Sequence, residues 1–294
     1  MAKFSSPAKQ AASVMKQLQS QHLRSVGTVR NYEQALTRVT EWTQQEKISN
    51  GLRAMTPELA QKYLEQRGQE VGQKTLDMER QAMQAMMQHV TAKLQPEERL
   101  PVIKSELDQV LTSRAYTTEQ ISLIAGSQAE QNVISTQIAH AAGLRAHELF
   151  TLRPAAERTP DERPALDSKF QGREGALYTV EGKGGLCREV LLPEALAARL
   201  EALRLDTPER VTDRGVHYQT HYAINGGQRW SSSFSAASNR AMGWSTGAHG
   251  LRHSYAQERM SELQNAGLTR SQALETVSQE MGHFRPEITE VYLR

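Results

Sequence analysis

Residues 249–256 read His249-Gly250-Leu251-Arg252-His253-Ser254-Tyr255-Ala256, and Met281-Gly282-His283 follows further on, with Tyr292 nine residues beyond His283. An H-x-x-R pair at a helix start puts an imidazole and a guanidinium on one face, one turn apart. Both can then reach a single cluster of anionic oxygens. On its own the pair is a weak signal and reads rather as two surface residues, so the context must come from the rest of the chain.

Working toward the N-terminus, Gly143-Leu144-Arg145-Ala146-His147-Glu148-Leu149 follows a helix that carries Ile134 and Ile138 and stops at Gly143. Arg145 is expected between that helix and the start of another, its fork beside free helix-terminal N–H groups, a setting that anions favour. Glu148, one turn on, is placed to orient a neighbouring Arg or His, or to act as a solvent-facing cap. Leu177-Tyr178-Thr179-Val180 and the run from Cys187 to Leu192 are β-prone and flank Glu181-Gly182-Lys183-Gly184-Gly185. They predict a β-hairpin with Lys183 at its tip, the one stretch read as strand. A lysine held between glycines has the reach to deliver a proton outside the fold, and equally reads as an ordinary turn lysine. Helices are expected to resume at Pro193 with Leu196, Leu200 and Leu203, and to continue around Phe234, Leu251 and Leu274.

Upstream, residues 11–95 read as helices throughout, with Tyr32, Leu36 and Val39, then Leu59 and Tyr63, then Met83, Met87 and Val90 at helical spacing. Gly27-Thr28 is expected to break the first helix from the second, and Thr56-Pro57 offers an N-cap followed by proline at the first helical position. Met78, Met83, Met86 and Met87 read as core filling. Two prolines among charged residues mark 96–114 as a linker with one helical turn inside it. Thr117 and Gln120 form a capping box that opens a second unit, 115–294, α-rich with a small antiparallel sheet. Residues 1–10 are expected to form a basic N-terminal arm. Lys3, Lys9, Lys16, Arg24, Arg30 and Arg38, against Glu33 alone, give the first two helices a positive bias. A solvated face and a phosphate-tracking surface explain that bias equally well.

A chain of 294 residues holds two ordinary domains, and 38% hydrophobic with 23% charged residues is a globular composition. No apolar run approaches a membrane span, and no apolar stretch follows Met1-Ala2-Lys3-Phe4-Ser5, so neither a membrane partner nor a secretory signal is expected. A cytoplasmic location is the default. Cys187, the only cysteine, excludes an intramolecular disulfide and a cysteine-only metal cage. The net charge of +2 leaves the class of partner open.

Taken in order, Arg145, Lys183, His249, Arg252, His283 and Tyr292 resemble the catalytic set of the tyrosine recombinase (lambda-type phage integrase) family. Gly143-Leu144-Arg145-x-x-Glu148-Leu149 resembles its first arginine box. His249-x-x-Arg252-His253-Ser254-Tyr255-Ala256 resembles the second, and Met281-Gly282-His283 with Tyr292 resembles its nucleophile segment. The resemblance implies a helical core-DNA-binding (SAM-like) domain at 11–95 and a mixed α/β catalytic domain at 115–294. It also implies a site-specific recombinase or integrase that cleaves and rejoins strands of double-stranded DNA at paired recognition sites, for integration or excision of a mobile element. Tyr292 would form a 3′-phosphotyrosyl link and Lys183 would act as general acid. His249 and His283 would hydrogen-bond the phosphate and move protons, and Glu148 would support them. No ATP, metal or other cofactor is expected, and the protein would assemble as a tetramer on DNA, with an accessory DNA-bending protein as a further partner.

The chemistry suits such a set: in-line displacement at an anionic phosphodiester builds charge on its oxygens, which two arginines and a histidine offset. A tyrosine hydroxyl, which titrates near 10, needs a base or a cationic field to favour its phenolate. A type IB topoisomerase would use a similar set but religate the strand it cut, and a catalytically silent relative would only bind DNA. A metal hydrolase built on His249, His253 and His283 is disfavoured because Gly250 stands where a zincin-like pattern wants Glu and Arg252 would set a cation beside the metal. Tyr292 stands two residues before Arg294, whereas many relatives continue into a further segment, so a frayed, mobile nucleophile is expected in the DNA-free state.

Overall fold

The computed structural model describes residues 5–19, 23, 26–109, 111–182 and 184–294, so Lys3, Arg24 and Lys183 lie outside the described residues. The chain divides into two compact units, Met1–Val110 and Leu111–Arg294. Each has its own core.

In the first unit, helices α1 (Pro7–Gln19), α2 (Val26–Gln45), α3 (Pro57–Gly68) and α4 (Gln73–His89) form a bundle. Apolar positions three and four apart put Ala11, Val14, Met15 and Leu18 of α1 on one buried stripe, facing Leu36 and Val39 of α2 and Met83, Met86 and Met87 of α4. The methionines fill the core as expected; Met78 is only half-buried. Thr56 caps α3 by accepting from the Leu59 N–H, with Pro57 at its first position. Two boundaries differ from the sequence reading. Gly27 and Thr28 lie in the first turn of α2 rather than between helices, because a glycine at a helix start leaves no intrahelical bond unmade. Residues 7–10, assigned to the arm, already belong to α1.

The linker also starts later than expected. Leu100 is buried in the first core, the Glu106 N–H donates to Gly68 O at 2.9 Å, and Gln73 exchanges bonds with Ile103 O and the Ser105 N–H. Among the described residues of 96–114 there is no helix, only a single hydrogen-bonded turn in which the Glu98 N–H donates to Gln95 O at 3.1 Å.

The second unit opens at the expected capping box, Thr117 with Gln120, on α5 (Thr118–Gly126). Then come α6 (Glu130–Ala141), β1 (Arg153–Pro154), the predicted hairpin β2 (Ala176–Glu181) and β3 (Cys187–Leu192), and α7 (Glu194–Glu201). Strands β1, β2 and β3 pair antiparallel in that order, with Thr179 opposite Glu189 and Val180 opposite Arg188. A second hairpin, β4 (Arg204–Asp213) and β5 (Val216–Tyr222), follows where helix was expected to continue. Its turn is Arg214-Gly215, both with positive φ, the geometry that matches a right-handed strand twist. The strands escaped detection because β4 is polar on both faces, with most of its residues exposed.

Helices α8 (Gly227–Met242), α9 (Gly250–Asn265) and α10 (Arg270–Glu280), with the short α11 (Pro286–Thr289), complete the unit. Its main core gathers Ile124, Ile138, Val180, Leu192, Trp230 and Phe234, while Tyr255, Leu263, Val277 and Met281 form a satellite core between α9 and α10. Among the described residues no helix is long and apolar enough to cross a membrane.

Candidate active site

Gly143 ends α6 in a left-handed conformation (φ 58°), where an added Cβ would sit 2.7 Å from the Tyr255 ring, so only glycine fits. The chain turns there and delivers Arg145 and Glu148 to the head of a single 3₁₀ turn, Glu148–Thr151, rather than to a full helix. Glu148 is completely buried and serves as a hub. Its Oε2 accepts the Arg145 N–H (2.8 Å) and Arg188 Nη2 (3.0 Å), and its Oε1 accepts Arg145 Nη1 (2.8 Å). Arg252 Nη1 stands 3.8 Å from Oε2, an ion pair without a hydrogen bond. Burial alone would raise the Glu148 carboxyl, but the charges of Arg188, Arg252 and Arg145 outweigh it and hold the group at about 2. The solvent-facing cap considered from sequence is therefore not its role.

Arg252 is wholly buried near the start of α9. Its Nη1 donates to Gly143 O, and its Nη2 to Met281 O (3.2 Å) and His283 Nε2 (3.1 Å), while Nε is buried without a partner. Burial and the Arg145 charge push its pKa down, against the pull of Glu148, yet it remains a cation at neutral pH.

Around this guanidinium stand three imidazoles and the Tyr292 ring. The Tyr292 centroid lies 4.7 Å from that of His253, 5.1 Å from His283 and 5.4 Å from His249, with Arg252 Cζ 5.5 Å away over its face. His283 Nε2 must accept from the arginine, so its Nδ1 carries the proton and donates to Thr289 Oγ1 at 2.9 Å. Desolvation, then the Arg252 charge, pushes His283 down to about 3. Desolvation and Arg114 push the buried His253 to about 4, opposed by its hydrogen bond to the Tyr292 backbone. The same forces lower His249, which stands exposed at the rim, where water moderates the effect.

The Tyr292 segment is seated on the second unit. Tyr292 closes a 3₁₀ turn, Glu290–Tyr292, and packs on the α9–α10 core, and Gln257 Nε2 donates to both Tyr292 O and Arg294 O.

Of the six residues singled out, Arg145, His249, Arg252, His283 and Tyr292 thus meet in one cluster, and Lys183 lies outside the described residues. Two members escaped sequence reading. Arg188 lies on the core face of β3 with Val190 and Leu192, so a charged residue in register with two buried aliphatics was the available signal. His253 was weighed only as a metal ligand, yet of the three imidazoles it stands nearest the Tyr292 ring.

The described basic residues singled out in the first unit do not all line one cleft. Arg30 and Arg38, two turns apart on α2, line a cleft of about 990 Å³ with Arg67 and Lys74, whereas Lys9 borders a different one with Arg53 and Lys93. Lys16 is exposed on α1 and borders neither.

Residues 15–93 match the family model of the phage integrase N-terminal SAM-like domain. No curated protein matches the chain. Among solved structures, the XerH site-specific recombinase bound to difH substrate is 16% identical, covering 98% of this chain and 81% of that one with a TM-score of 0.58. A lambda integrase tetramer bound to a Holliday junction is 13% identical (97% and 76% covered, TM-score 0.61). The Tn1549 transposon integrase in complex with transposon right end DNA is 14% identical (99% and 95%, TM-score 0.56). The chain thus has a stretch similar to the phage integrase N-terminal SAM-like domain and shares the fold of these recombinase and integrase structures.

Proposed function

We propose that this protein is a site-specific recombinase that cuts and rejoins DNA through a covalent bond to Tyr292. The observation that carries the reading is the packing of a tyrosine ring against three imidazoles and a buried guanidinium that shares one carboxylate with a second arginine. A scissile phosphate entering beside Arg145 and Arg252 would meet two forks that neutralise it and offset the charge growing on its oxygens. Tyr292 Oη attacks phosphorus, the bond to the 5′ oxygen breaks, and a 3′-phosphotyrosyl link and a free 5′-hydroxyl remain. The phenolic proton passes to a neutral imidazole, for which His249 at the rim is the assigned acceptor, and the departing oxygen takes a proton from Lys183. Reversal by a partner strand's 5′-hydroxyl yields recombined DNA.

The low histidine pKa values belong to the DNA-free cluster. An arriving phosphate would add negative charge beside Arg252 and raise them, so the base would become competent when its substrate arrives. The DNA-bound dimers and tetramers among structures of the same fold support a double-stranded DNA partner and assembly of copies on it. Arg30, Arg38 and Lys74 are the assigned phosphate contacts of the first unit, whereas Arg67 beside them is paired with Glu79 and Glu70.

The test is to incubate the protein, in chelator and without ATP, with a pool of nicked duplexes randomised around the nick, and to look for an SDS-resistant protein–DNA adduct. An adduct from the wild-type that is absent with Tyr292→Phe is the expected result. Tight binding to a recovered site without any adduct would reduce the function to DNA recognition.

A further inference from the structure

Arg188 is a cation on the inward face of a strand, where desolvation makes it costly unless it is paired; its Nε is buried without a partner, and the pairing falls to its two terminal nitrogens. Its Nη2 takes the lone pair of Glu148 Oε2 that the Arg145 N–H leaves free. Its Nη1 donates to Glu280 O at 2.7 Å, at the end of α10 just before Met281-Gly282-His283. Gly282, at φ 72°, passes so near that an added Cβ would stand 2.6 Å from Arg188 Cδ. One side chain therefore touches both the carboxylate under the two arginines and the turn that presents His283.

We infer that Arg188 is a positioning residue for strand cleavage: it saturates Glu148 Oε2, keeping Arg252 from being captured by that carboxylate, and anchors the turn that carries His283. The inference rests on the cleavage reading above. With Arg188 in place, Glu148 holds Arg252 only at 3.8 Å, and Arg252 spends its donors on Gly143 O, Met281 O and His283. Without Arg188, Oε2 regains an unsatisfied lone pair in a dry interior, and the nearest cation not yet hydrogen-bonded to it is Arg252. A guanidinium drawn into a close pair with Glu148 is withdrawn from the phosphate it should serve. Arg188 need not touch DNA to act in this way.

The experiment compares Arg188→Met with the wild-type in single-turnover adduct formation on two suicide substrates that carry either an ordinary phosphodiester or an uncharged methylphosphonate at the scissile position. The expected result is a loss of about 10²-fold on the phosphodiester, with DNA affinity held within a few-fold, and a clearly smaller loss on the methylphosphonate, which places less charge on Arg252. A merely distorted site would slow both substrates equally. Because Arg188→Met leaves a buried carboxylate short of a partner, Glu148→Gln/Arg188→Met is measured beside it. The double variant removes the competitor for Arg252 and should react faster than the single one. Equal losses on the two substrates, a double variant no faster than the single one, or no loss at all would overturn the inference while leaving strand cleavage intact. A wild-type without an adduct would overturn the cleavage reading and this inference together.

Discussion

The Arg252 guanidinium lies against the face of the Tyr292 ring, Cζ 5.5 Å from its centroid, so the proposed nucleophile rests on the cation proposed to receive the phosphate. The arginine's donors already hold Gly143 O, Met281 O and His283. An ammonium cannot span those acceptors in a fixed plane. Arg252→Lys should lower the rate of adduct formation by about 10²–10³-fold, measured by single-turnover kinetics on a nicked duplex, with the far-ultraviolet circular dichroism unchanged.

Glu148 gives a pH signature. Its carboxyl is held at about 2 against an ordinary 4.5, so the stabilisation it contributes is complete above pH 4.5 and drains away as the pH falls toward 2. That amounts to about 3 kcal/mol for a fully buried group. Urea unfolding of the wild-type from pH 5 to pH 2 should show this loss. Glu148→Gln should be less stable at pH 6 and flatter across that window; parallel curves would contradict the hub.

His253 and His283 act in a higher window. Their folded values, about 4 and about 3, lie below the ordinary 6.5, so the neutral forms stabilise the fold above pH 6.5 and that contribution is lost as the pH falls toward those values. Both imidazoles should stay neutral down to pH 5 in nuclear magnetic resonance titrations of the free protein. Binding of a cognate duplex at pH 5 should take up protons, read by calorimetry in buffers of different ionisation enthalpy.

Behind the site, Arg259 and Glu280 form a buried bidentate pair, 2.9 Å on each arm, and Tyr255 Oη and the Phe170 N–H also donate to the carboxylate. Removing one partner strands a charge in the interior. Arg259→Met should cost about 3–5 kcal/mol in chemical unfolding, and Arg259→Met with Glu280→Met distinctly less than the sum of the single changes.

Gly143→Ala combines a positive φ with a Cβ 2.7 Å from the Tyr255 ring. It should destabilise the second unit by about 2–4 kcal/mol. Since Gly143 O also receives Arg252, activity at a temperature where the variant is still folded should fall as well.

What the sequence disclosed depended on whether a residue's task was local. Thr56, Thr117 and Gln120 act on backbone groups three positions away, and their caps lie where the sequence placed them. The hairpin around Lys183 announced itself through β-prone runs and glycines, and its strands are paired as expected. The hairpin of β4 and β5 did not, because strands that bury little carry little hydrophobic pattern. Leu100 was assigned to a linker because one buried leucine among prolines and charges has no periodicity to betray it. In the site, the family resemblance in residue type, chain order and local context selected five residues that meet in space, which no one of them would have done alone. Arg188 was invisible because its partners, Glu148 and Glu280 O, lie 40 and 92 positions away.

The hydrogen bond from His283 Nδ1 to Thr289 Oγ1 ties the proton of one residue to the place of another, since Thr289 ends α11 and leads directly into the turn that bears Tyr292. The Arg252 bond to Nε2 fixes the proton on Nδ1, and Thr289 receives it. If the tyrosine segment swings out, whether to reach a phosphate or to make way for one, Thr289 leaves with it and the Nδ1 proton loses its acceptor. The joint therefore couples two positions: the acceptor of the His283 proton is in place only while the turn that bears Tyr292 is seated.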